Sequence, residues 1–202
     1  MRAIALNGTL KPSPEKSNTE ALTQVVLDAL SRQAVDCEVV RLADYDIAPG
    51  VISEAVREGD AWPQIHAKIL AAEILILATP TWLGQPSSII KRALERMGAL
   101  LSETDPDGRP VAYNKVAGFV VTGNEDGAHH VIAEMAQGAI DYGFTVPGQA
   151  WTYWNKGPGP GDEVYLTSND TQWSNTTGEA AAHNLYAVAH ALAVNPISAS
   201  PS

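Results

Sequence analysis

One run of five residues, Ile74–Ala78, is apolar at every position. A strand with one face in water alternates apolar and polar residues, whereas a strand inside a parallel sheet is covered on both faces and reads as a continuous apolar run. The run therefore predicts a central strand of a parallel sheet. Four further short runs are predicted as strands: Ala3–Leu6, Glu38–Leu42, Val116–Val121 and Phe144–Val146, the last with an extension through Ala150 left open.

Helical patterns separate these runs. Leu22, Val25 and Val26 begin an i, i+3, i+4 series, and similar series predict helices over 61–72, 90–97 and 131–140 and a last helix that begins near residue 177. Strands that alternate with helices predict an α/β fold. We expect a five-stranded parallel sheet of the flavodoxin-like order 2-1-3-4-5, with helices on both faces. Residues 1–196 are predicted as one domain, 151–176 as an aromatic, Gly/Pro-rich excursion and 197–202 as a frayed tail.

Composition excludes several classes of function. The chain carries 13 Lys+Arg against 23 Asp+Glu, a net charge of −10, and has no basic cluster, so binding to nucleic acid or to an anionic membrane is disfavoured. The single cysteine, Cys37, rules out an intrachain disulfide and a cysteine-based cluster. The five histidines lack the spacing of a metal site, and none is predicted. With no recognisable signal peptide or membrane span, we expect a cytoplasmic protein.

The loop after the first strand carries groups that suit a phosphate. Thr9 follows the strand, and Ser17, Asn18 and Thr19 stand at the start of the next helix, where main-chain N–H groups lack partners. About ten residues separate strand and helix, against the usual 2–6 or so. Neither a Walker A sequence nor a Gly-x-Gly-x-x-Gly fingerprint is present. An ordinary loop before a well-capped helix stays the alternative.

Two more polar loops follow the third and fourth predicted strands. The second loop, 79–86, places Trp82 on a turn between two prolines, and the third, 122–128, has glycines on both sides of the polar trio 124–126. Because the carboxyl ends of parallel strands share one edge of the sheet, we expect all three loops to meet in one crevice. There Trp82 would either anchor the packing or stack on a flat ring, and the third loop could hydrogen-bond a heterocycle through its N–H groups and Asn124.

Taken together, these motifs resemble the flavodoxin-like NAD(P)H-dependent FMN reductases, which include NAD(P)H:quinone oxidoreductases. The resemblance runs from Arg2 to about Ala193 and rests on Asn7-Gly8-Thr9, Ser17-Asn18-Thr19, Thr79–Gly84, Ser87–Arg96 and Thr122-Gly123. It implies FMN in the crevice. The phosphate would be held by Thr9, Ser17, Asn18 and Thr19, with Lys11 assisting; the ring would be lined by Pro80, Thr81, Trp82, Leu83 and Gly84, and its pyrimidine side by Thr122, Gly123, Asn124, Glu125, Asp126 and Gly127.

Two features depart from the commonest family pattern. The first loop is longer, with Lys11 next to extra prolines, and the pair Glu125-Asp126 places carboxylates near a flavin that becomes anionic on reduction. Carboxylates there would lower the flavin's potential unless they point to solvent. The excursion 151–176 has three interpretations: an ordered loop over the sheet edge, a lid over the flavin, or a contact that completes a neighbouring subunit's site.

The resemblance implies an enzyme that passes hydride from NADPH or NADH through FMN to a quinone, a free flavin or a similar small-molecule acceptor. It also implies a homodimer or homotetramer. Because the cofactor carries the chemistry, no acid–base residue is expected. A non-enzymatic electron carrier of the flavodoxin type is the alternative, although the first loop lacks the Thr-x-Thr-Gly-x-Thr run of those carriers. A phosphate-binding regulatory domain without redox chemistry is a third interpretation.

Overall fold

The computed structural model describes residues 1–159 and 161–199. The main strands are β1 Arg2–Asn7, β2 Asp36–Arg41, β3 Ile74–Trp82, β4 Val116–Gly123 and β5 Trp151–Asn155. The α-helices are α1 Asn18–Ser31, α2 Trp62–Ala71, α3 Ser88–Arg96, α4 Ala128–Asp141 and α5 Gln172–Val194. Short 3-10 helices cover Leu42–Asp44, Met97–Leu101 and Tyr165–Thr167.

The five main strands form one parallel sheet. β1 lies between β2 and β3, β4 pairs with the other side of β3, and β5 pairs with β4. The spatial order is therefore 2-1-3-4-5, and the predicted α/β fold is confirmed. A two-residue strand, Gln85–Pro86, turns back antiparallel onto the end of β3 and extends the second loop. In this order the carboxyl ends of β1, β3 and β4 face the same edge, where ligands of such sheets bind.

Helices cover both faces of the sheet. On one face α1 and α5 share a core with Ile74 and Ile76, and Leu22 and Leu185 lie within it. On the other face α2, α3 and α4 pack around the alternate positions of the same strand, such as Leu77. The continuous apolar run in β3 thus has a physical cause, since successive side chains enter two different cores.

The fifth strand lies later in the chain than predicted. Phe144–Val146 contributes only an isolated bridge between Thr145 and Val116, so the prediction of a strand there is wrong. Pro147 follows at once, and proline cannot donate to a ladder. The strand is Trp151–Asn155, whose aromatic and β-branched side chains favour extended structure.

The predicted excursion therefore shrinks at both ends. Its first five residues are β5, and the last helix begins at Gln172 rather than near residue 177. What connects β5 to α5 is a segment of residues 156–171, which we call the strap. Its described part contains one short 3-10 helix, Tyr165–Thr167.

The end of the described chain is tied to the amino-end side of β4. The Ile197 N–H donates to Asn114 Oδ1 (2.6 Å), and Asn114 Nδ2 donates to the Ile197 carbonyl (3.3 Å). The first residue of the predicted frayed tail is thus held in place, while residues 200–202 lie outside the described residues. Among the described helices, none combines the length and apolar character that a membrane crossing needs.

Candidate functional site

A crevice of about 210 Å³ opens at the carboxyl ends of β1, β3, β4 and β5. Ten of the residues predicted for the site line it: Thr9, Lys11, Asn18, Thr19, Pro80, Thr81, Trp82, Thr122, Gly123 and Asn124. Three lining residues were not predicted: Leu10, Trp154 and Val164. The other six predicted residues, which are Ser17, Leu83, Gly84, Glu125, Asp126 and Gly127, are not part of the lining. All three loops do meet at one crevice.

The first loop is shaped by the end of β1 and the start of α1. Gly8 passes so close to α3 that an added Cβ would lie 2.7 Å from Ile90 Cβ. The Thr9 N–H donates to Asn7 Oδ1 (3.1 Å), which fixes the turn out of the strand. Ser17 is the N-cap of α1, and its hydroxyl accepts from the Glu20 N–H (3.1 Å). The Ser17 hydroxyl oxygen thus serves its own helix as an acceptor.

Ser17 leaves part of the helix start free for an anion. The Ser17 side chain and carbonyl engage the N–H groups of Glu20 and Ala21. The N–H groups of Asn18 and Thr19 precede the first intrahelical bond and have no acceptor among the described residues. These two donors stand at the positive end of a 14-residue helix, and both residues line the crevice.

An acidic residue in the first turn of α1 is neutralised within the chain. Glu20 Oε2 forms an ion pair with Arg41 (2.7 Å) and accepts a hydrogen bond from Asn7 Nδ2 (2.9 Å). The Arg41 side chain is only 10% exposed. The carboxylate therefore does not oppose an anion at the helix start, even though the whole chain is strongly acidic.

The floor of the crevice carries three buried threonine hydroxyls. Thr19 Oγ1 and Thr122 Oγ1 are 2.7 Å apart and join the first loop to the third. Thr81 Oγ1 is buried and has no hydrogen-bond partner among the described residues. Three hydroxyls therefore share one hydrogen bond, and two O–H donors are left over. Buried donors are nearly always paired in native proteins, so this floor calls for acceptors from a ligand or from water.

Gly123 creates the space above Thr81. An added Cβ at Gly123 would lie 3.0 Å from Thr81 Cβ and 3.2 Å from Thr81 Oγ1. A side chain there would therefore crowd the unpaired hydroxyl. Glycine at this position avoids that crowding.

The second loop presents a large aromatic ring at the rim of the crevice. Trp82 is 53% exposed although it lines the crevice. Leu83 and Gly84 both have positive φ values, 51° and 73°, which turn the chain sharply at that point. The Leu83 N–H donates to Glu125 Oε1 (2.8 Å), and this bond links the second loop to the third.

The acidic pair of the third loop does not line the crevice. Glu125 is turned toward Leu83, as that hydrogen bond shows, and Asp126 is exposed. Gly127 is left-handed (φ 109°), and an added Cβ would lie 2.8 Å from Gly84 Cα. Leu83, Gly84, Glu125 and Gly127 thus hold the second and third loops together, so they shape the rim from outside.

The strap closes one side of the crevice. Its Val164 lines the crevice together with Trp154 of β5. The rings of Trp154 and Tyr165 meet edge to face at 6.2 Å, Trp154 Nε1 donates to the Asp170 carbonyl (2.9 Å), and Tyr165 Oη donates to Asn175 Oδ1 (2.6 Å). Burial raises the pKa of the Tyr165 hydroxyl. The density of aromatic and β-branched residues over 151–154 was the sequence signal for a strand that could have placed Trp154 here.

Two asparagines predicted as ligand contacts also bind the strap. Asn18 Oδ1 accepts from the Leu166 N–H (3.0 Å). Asn124 Nδ2 donates to the Gly161 carbonyl, and the Gly161 N–H donates to the Asn124 carbonyl (3.1 Å). One N–H of the Asn124 amide is therefore used by the strap, while Asn124 still lines the crevice.

Lys11, which lines the crevice, and His130 of α4 have local partners. Lys11 is exposed, and its Nζ lies 3.4 Å from the Lys16 carbonyl. His130 Nε2 lies 3.0 Å from Gln85 Nε2 and 3.2 Å from Glu134. Within residues 1–159 and 161–199 there is no cluster of three or more metal-ligating side chains.

The family of NADPH-dependent FMN reductases matches residues 1–158. The chain belongs to this family. The confirmed sheet order agrees with it, since FMN sites of such sheets lie at the carboxyl ends of the first and third strands, where this crevice opens. The match ends before most of the strap and all of α5.

Two curated relatives and one solved structure extend the comparison. The divalent metal cation transporter MntH of Mycobacterium bovis is 38% identical over 165 residues, which cover 79% of this chain and 24% of that protein. The 8-demethyl-8-aminoriboflavin-5'-phosphate synthase of Streptomyces davaonensis is 36% identical over 172 residues, 80% of this chain and 66% of that protein. The chain thus spans less than two thirds of the length of either relative.

The structure of RosB with the bound intermediate 8-demethyl-8-formylriboflavin-5'-phosphate superposes with a TM-score of 0.87. The two are 29% identical, and the alignment covers 98% of this chain and 82% of RosB. The shared fold thus includes the strap and α5, which lie beyond the family match.

The donor set of this FMN reductase homologue fits an FMN-like ligand. Free helix-start N–H groups suit the oxygens of a phosphate monoester. The unpaired Thr81 hydroxyl and the spare proton of the Thr19–Thr122 pair suit further acceptors. Trp82 and Trp154 supply apolar surface for a flat ring.

Proposed function

We propose that this FMN reductase homologue binds FMN in the crevice and transfers hydride from NADPH or NADH through it to a quinone, a free flavin or a similar small acceptor. The observation that carries the proposal is the under-paired threonine floor. Two buried O–H donors, left without acceptors among the described residues, lie at the edge of the sheet where FMN sites of this fold are built.

In this proposal the phosphate lies at the start of α1. The N–H groups of Asn18 and Thr19 and the hydroxyl of Thr9 are its donors, with Lys11 at the open side. Ser17 acts indirectly, because its hydroxyl caps the helix and so fixes the direction of these N–H groups. The ion pair with Arg41 compensates the charge of Glu20, a carboxylate in the first turn of the same helix.

The flat ring lies between the second and third loops. Pro80, Thr81 and Trp82 line one side, and Thr122, Gly123 and Asn124 line the other. Leu83, Gly84, Glu125, Asp126 and Gly127 act on the ring only through the loop conformations that they maintain. Bound FMN supplies the two-electron redox chemistry, and the chain's residues bind, orient and shield it. Glu125 is turned toward Leu83, so its carboxylate is kept out of the lining. It should therefore lower the potential of the flavin less than a carboxylate in the lining would.

Spectroscopy of the purified chain tests this proposal directly. After FMN is added and unbound flavin is removed by gel filtration, we expect a flavin absorption band at about 450 nm and quenched flavin fluorescence in the protein fraction. Anaerobic NADPH or NADH should bleach the band, and a quinone should restore it. Bleaching without any partner reductase favours the enzyme over the electron-carrier alternative. A chain that binds no FMN contradicts the proposal.

A second candidate is that a flavin 5'-phosphate is the substrate and is modified on its ring. The likeness to the synthase, with 36% identity, and the TM-score of 0.87 to RosB with a flavin-phosphate intermediate favour it. Mass spectrometry of the flavin after turnover separates the two candidates. An unchanged mass supports the reductase, and a changed mass supports the synthase-like reaction.

Five features stay predictions: the acceptor, the choice between NADPH and NADH, the homodimer or homotetramer, the single domain over 1–196 and the cytoplasmic location. An anaerobic titration with both nicotinamides and a panel of quinones addresses the first two. Light scattering of the flavin-loaded protein addresses the oligomer.

A further inference from the structure

The strap is attached to the crevice by two asparagine side chains at separate points. Asn124, from the third loop, holds Gly161, and Asn18, from the first turn of α1, holds Leu166. Between these points Val164 lines the crevice. Both asparagines also line the crevice, so each can contact the strap and a ligand at the same time.

The chemistry of the Asn18 contact fixes how its amide is turned. The Leu166 group is a main-chain N–H, which can only donate, so it must meet the amide oxygen of Asn18 and not the nitrogen. The Asn18 NH2 group therefore points away from Leu166. It has no acceptor among the described residues. Two free main-chain N–H groups, of Asn18 and Thr19, begin the same helix turn.

A second, independent observation indicates a ligand in this crevice. Thr81, 4% exposed, lines the crevice from the side of β3, and its hydroxyl has no partner among the described residues. Unpaired donors thus approach the crevice from both α1 and β3. A ligand with oxygen acceptors, and a phosphate at the α1 end, would satisfy them together.

We propose that Asn18 is a positioning residue that couples phosphate binding to the strap: its Oδ1 holds the Leu166 N–H while its Nδ2 donates to the phosphate of a flavin 5'-phosphate. This inference rests on the proposed function, because it assumes a flavin in the crevice. Whether the flavin serves as cofactor or as substrate does not affect it.

Coupling of this kind works in both directions. Phosphate bound to Nδ2 immobilises the Asn18 side chain and so stabilises its bond to Leu166; a strap held by Asn18 in turn orients Nδ2 for the phosphate. The strap carries Val164 into the lining and rests on Trp154 through Tyr165. A flavin with a phosphate is therefore expected to order the strap more than riboflavin, which has the same ring without a phosphate.

Two substitutions separate the two contacts of Asn18. Asn18→Asp keeps an oxygen for the Leu166 N–H but replaces the phosphate donor with a negative charge. Asn18→Leu removes both contacts. Asn184→Asp is the matched control, because it adds the same charge on α5, far from the crevice. There Asn184 Nδ2 donates to the Gly148 carbonyl (2.9 Å). The measurements are FMN and riboflavin affinity by fluorescence quenching, and hydrogen exchange of the Leu166 amide.

The wild-type chain should bind FMN more tightly than riboflavin. FMN, but not riboflavin, should slow hydrogen exchange of the Leu166 amide. In Asn18→Asp we expect FMN affinity to fall roughly 10- to 100-fold, because a donor to a charged group is lost and a like charge is gained. Its riboflavin affinity and its Leu166 exchange without flavin should match wild type. In Asn18→Leu the Leu166 amide should also exchange its hydrogen faster than in wild type. Asn184→Asp should behave as wild type in all of these measurements.

Equal loss of FMN and riboflavin in Asn18→Asp, or undiminished FMN preference, overturns the role of Asn18 at the phosphate. Unchanged Leu166 exchange in Asn18→Leu overturns its role at the strap. A wild-type chain that binds neither flavin overturns the proposed function itself, which this set of measurements thereby distinguishes from a failure of the inference alone.

Discussion

Two buried polar regions of this FMN reductase homologue differ in how completely their groups are paired. Under α3, the Asp60 carboxylate accepts from the N–H groups of Ala48, Val56 and Trp62 and from Arg96 Nη1 (2.7 Å). Its side chain and that of Arg96 are both 0% exposed. On the crevice floor, by contrast, three threonine hydroxyls share a single hydrogen bond.

The contrast concerns the Asp60 carboxylate and its partners, because two donors of the same region, Trp62 Nε1 and Arg96 Nε, lack hydrogen-bond partners among the described residues. Arg96 also donates to the Ala48 carbonyl (3.0 Å) and the Glu54 carbonyl (2.7 Å), so it ties the long loop after β2 to α3. Its Nε lacks a hydrogen-bond partner among the described residues, but the guanidinium lies 5.6 Å from the Trp62 ring centroid, where cation–π attraction applies. Pairing inside the chain stabilises the fold, whereas donors left over at the crevice are available to a ligand.

The largest expected effect is on the paired region. Arg96→Met should lower the free energy of unfolding by about 3–5 kcal/mol, because the Asp60 charge stays buried without its partner. Urea denaturation measures this. Arg57→Met is the matched control, since Arg57 pairs with Asp46 at the surface with 55% and 58% of the side chains exposed, and it should cost less than about 1 kcal/mol. Equal losses in the two variants would remove the distinction.

The next largest effect is expected on how the free energy of unfolding depends on pH in acid. Burial alone would raise the pKa of Asp60, but the N–H groups of Val56, Trp62 and Ala48 and the Arg96 guanidinium outweigh it and lower the pKa from 3.8 to about 2. A carboxylate with a lowered folded-state pKa stabilises the fold above its unfolded pKa, and that stabilisation is lost as pH falls.

We therefore expect the wild-type free energy of unfolding to lose the Asp60 contribution as the pH drops from about 5 toward 2. Asp60→Asn is less stable at neutral pH and should lack this part of the acid dependence. The measurement is denaturation across that pH range, and the difference between the two proteins isolates Asp60 from other carboxylates. Parallel curves for the two proteins would contradict the prediction.

A substitution on the crevice floor should lower ligand affinity and not the stability of the free protein. Thr81→Val removes a buried hydroxyl that has no partner within the described chain, so the flavin-free protein should be at least as stable as wild type. Its FMN affinity should fall roughly 3- to 10-fold, because a hydrogen bond to the ligand is lost. Thr81→Ser keeps the hydroxyl and should retain the affinity. If Thr81→Val destabilises the free protein and leaves FMN affinity intact, the Thr81 hydroxyl stabilises the fold and does not bind the ligand.

The smallest effect is expected at Lys11. Its ammonium group is exposed and lies near the Lys16 carbonyl, so the solvent screens its attraction for a phosphate. Lys11→Met should weaken FMN binding by only about 2- to 3-fold at physiological salt. Titration at low and high salt should show that this difference shrinks as salt rises. A tenfold or larger loss would place Lys11 directly on the phosphate.

The fold could be read largely from local patterns. The apolar run 74–78 predicted a strand between two helical layers, and polar residues after the first, third and fourth strands predicted the edge where the crevice lies. These features follow from side-chain periodicity and from the geometry of parallel sheets, which act over a few residues. Ten predicted site residues consequently line the crevice.

Periodicity failed to place the last strand. Phe144–Val146 and Trp151–Asn155 both lie along β4, but the first makes only an isolated bridge and the second pairs over five residues. Because that strand was placed too early, Trp154 and the strap's Val164 were missed as lining residues.

By itself the sequence determined the alternating α/β pattern and the three loops, because these depend on neighbouring residues. The sheet order was expected from the known flavodoxin-like arrangement and not from local sequence. Only the tertiary structure decided which polar groups are left free. Ser17 is engaged by its helix, Glu20 by Arg41 and Asn124 by Gly161, while Thr81 has no partner among the described residues. Partners such as Thr19 and Thr122 are 103 residues apart, and hydrogen bonds over such separations depend on the packed fold and not on local sequence.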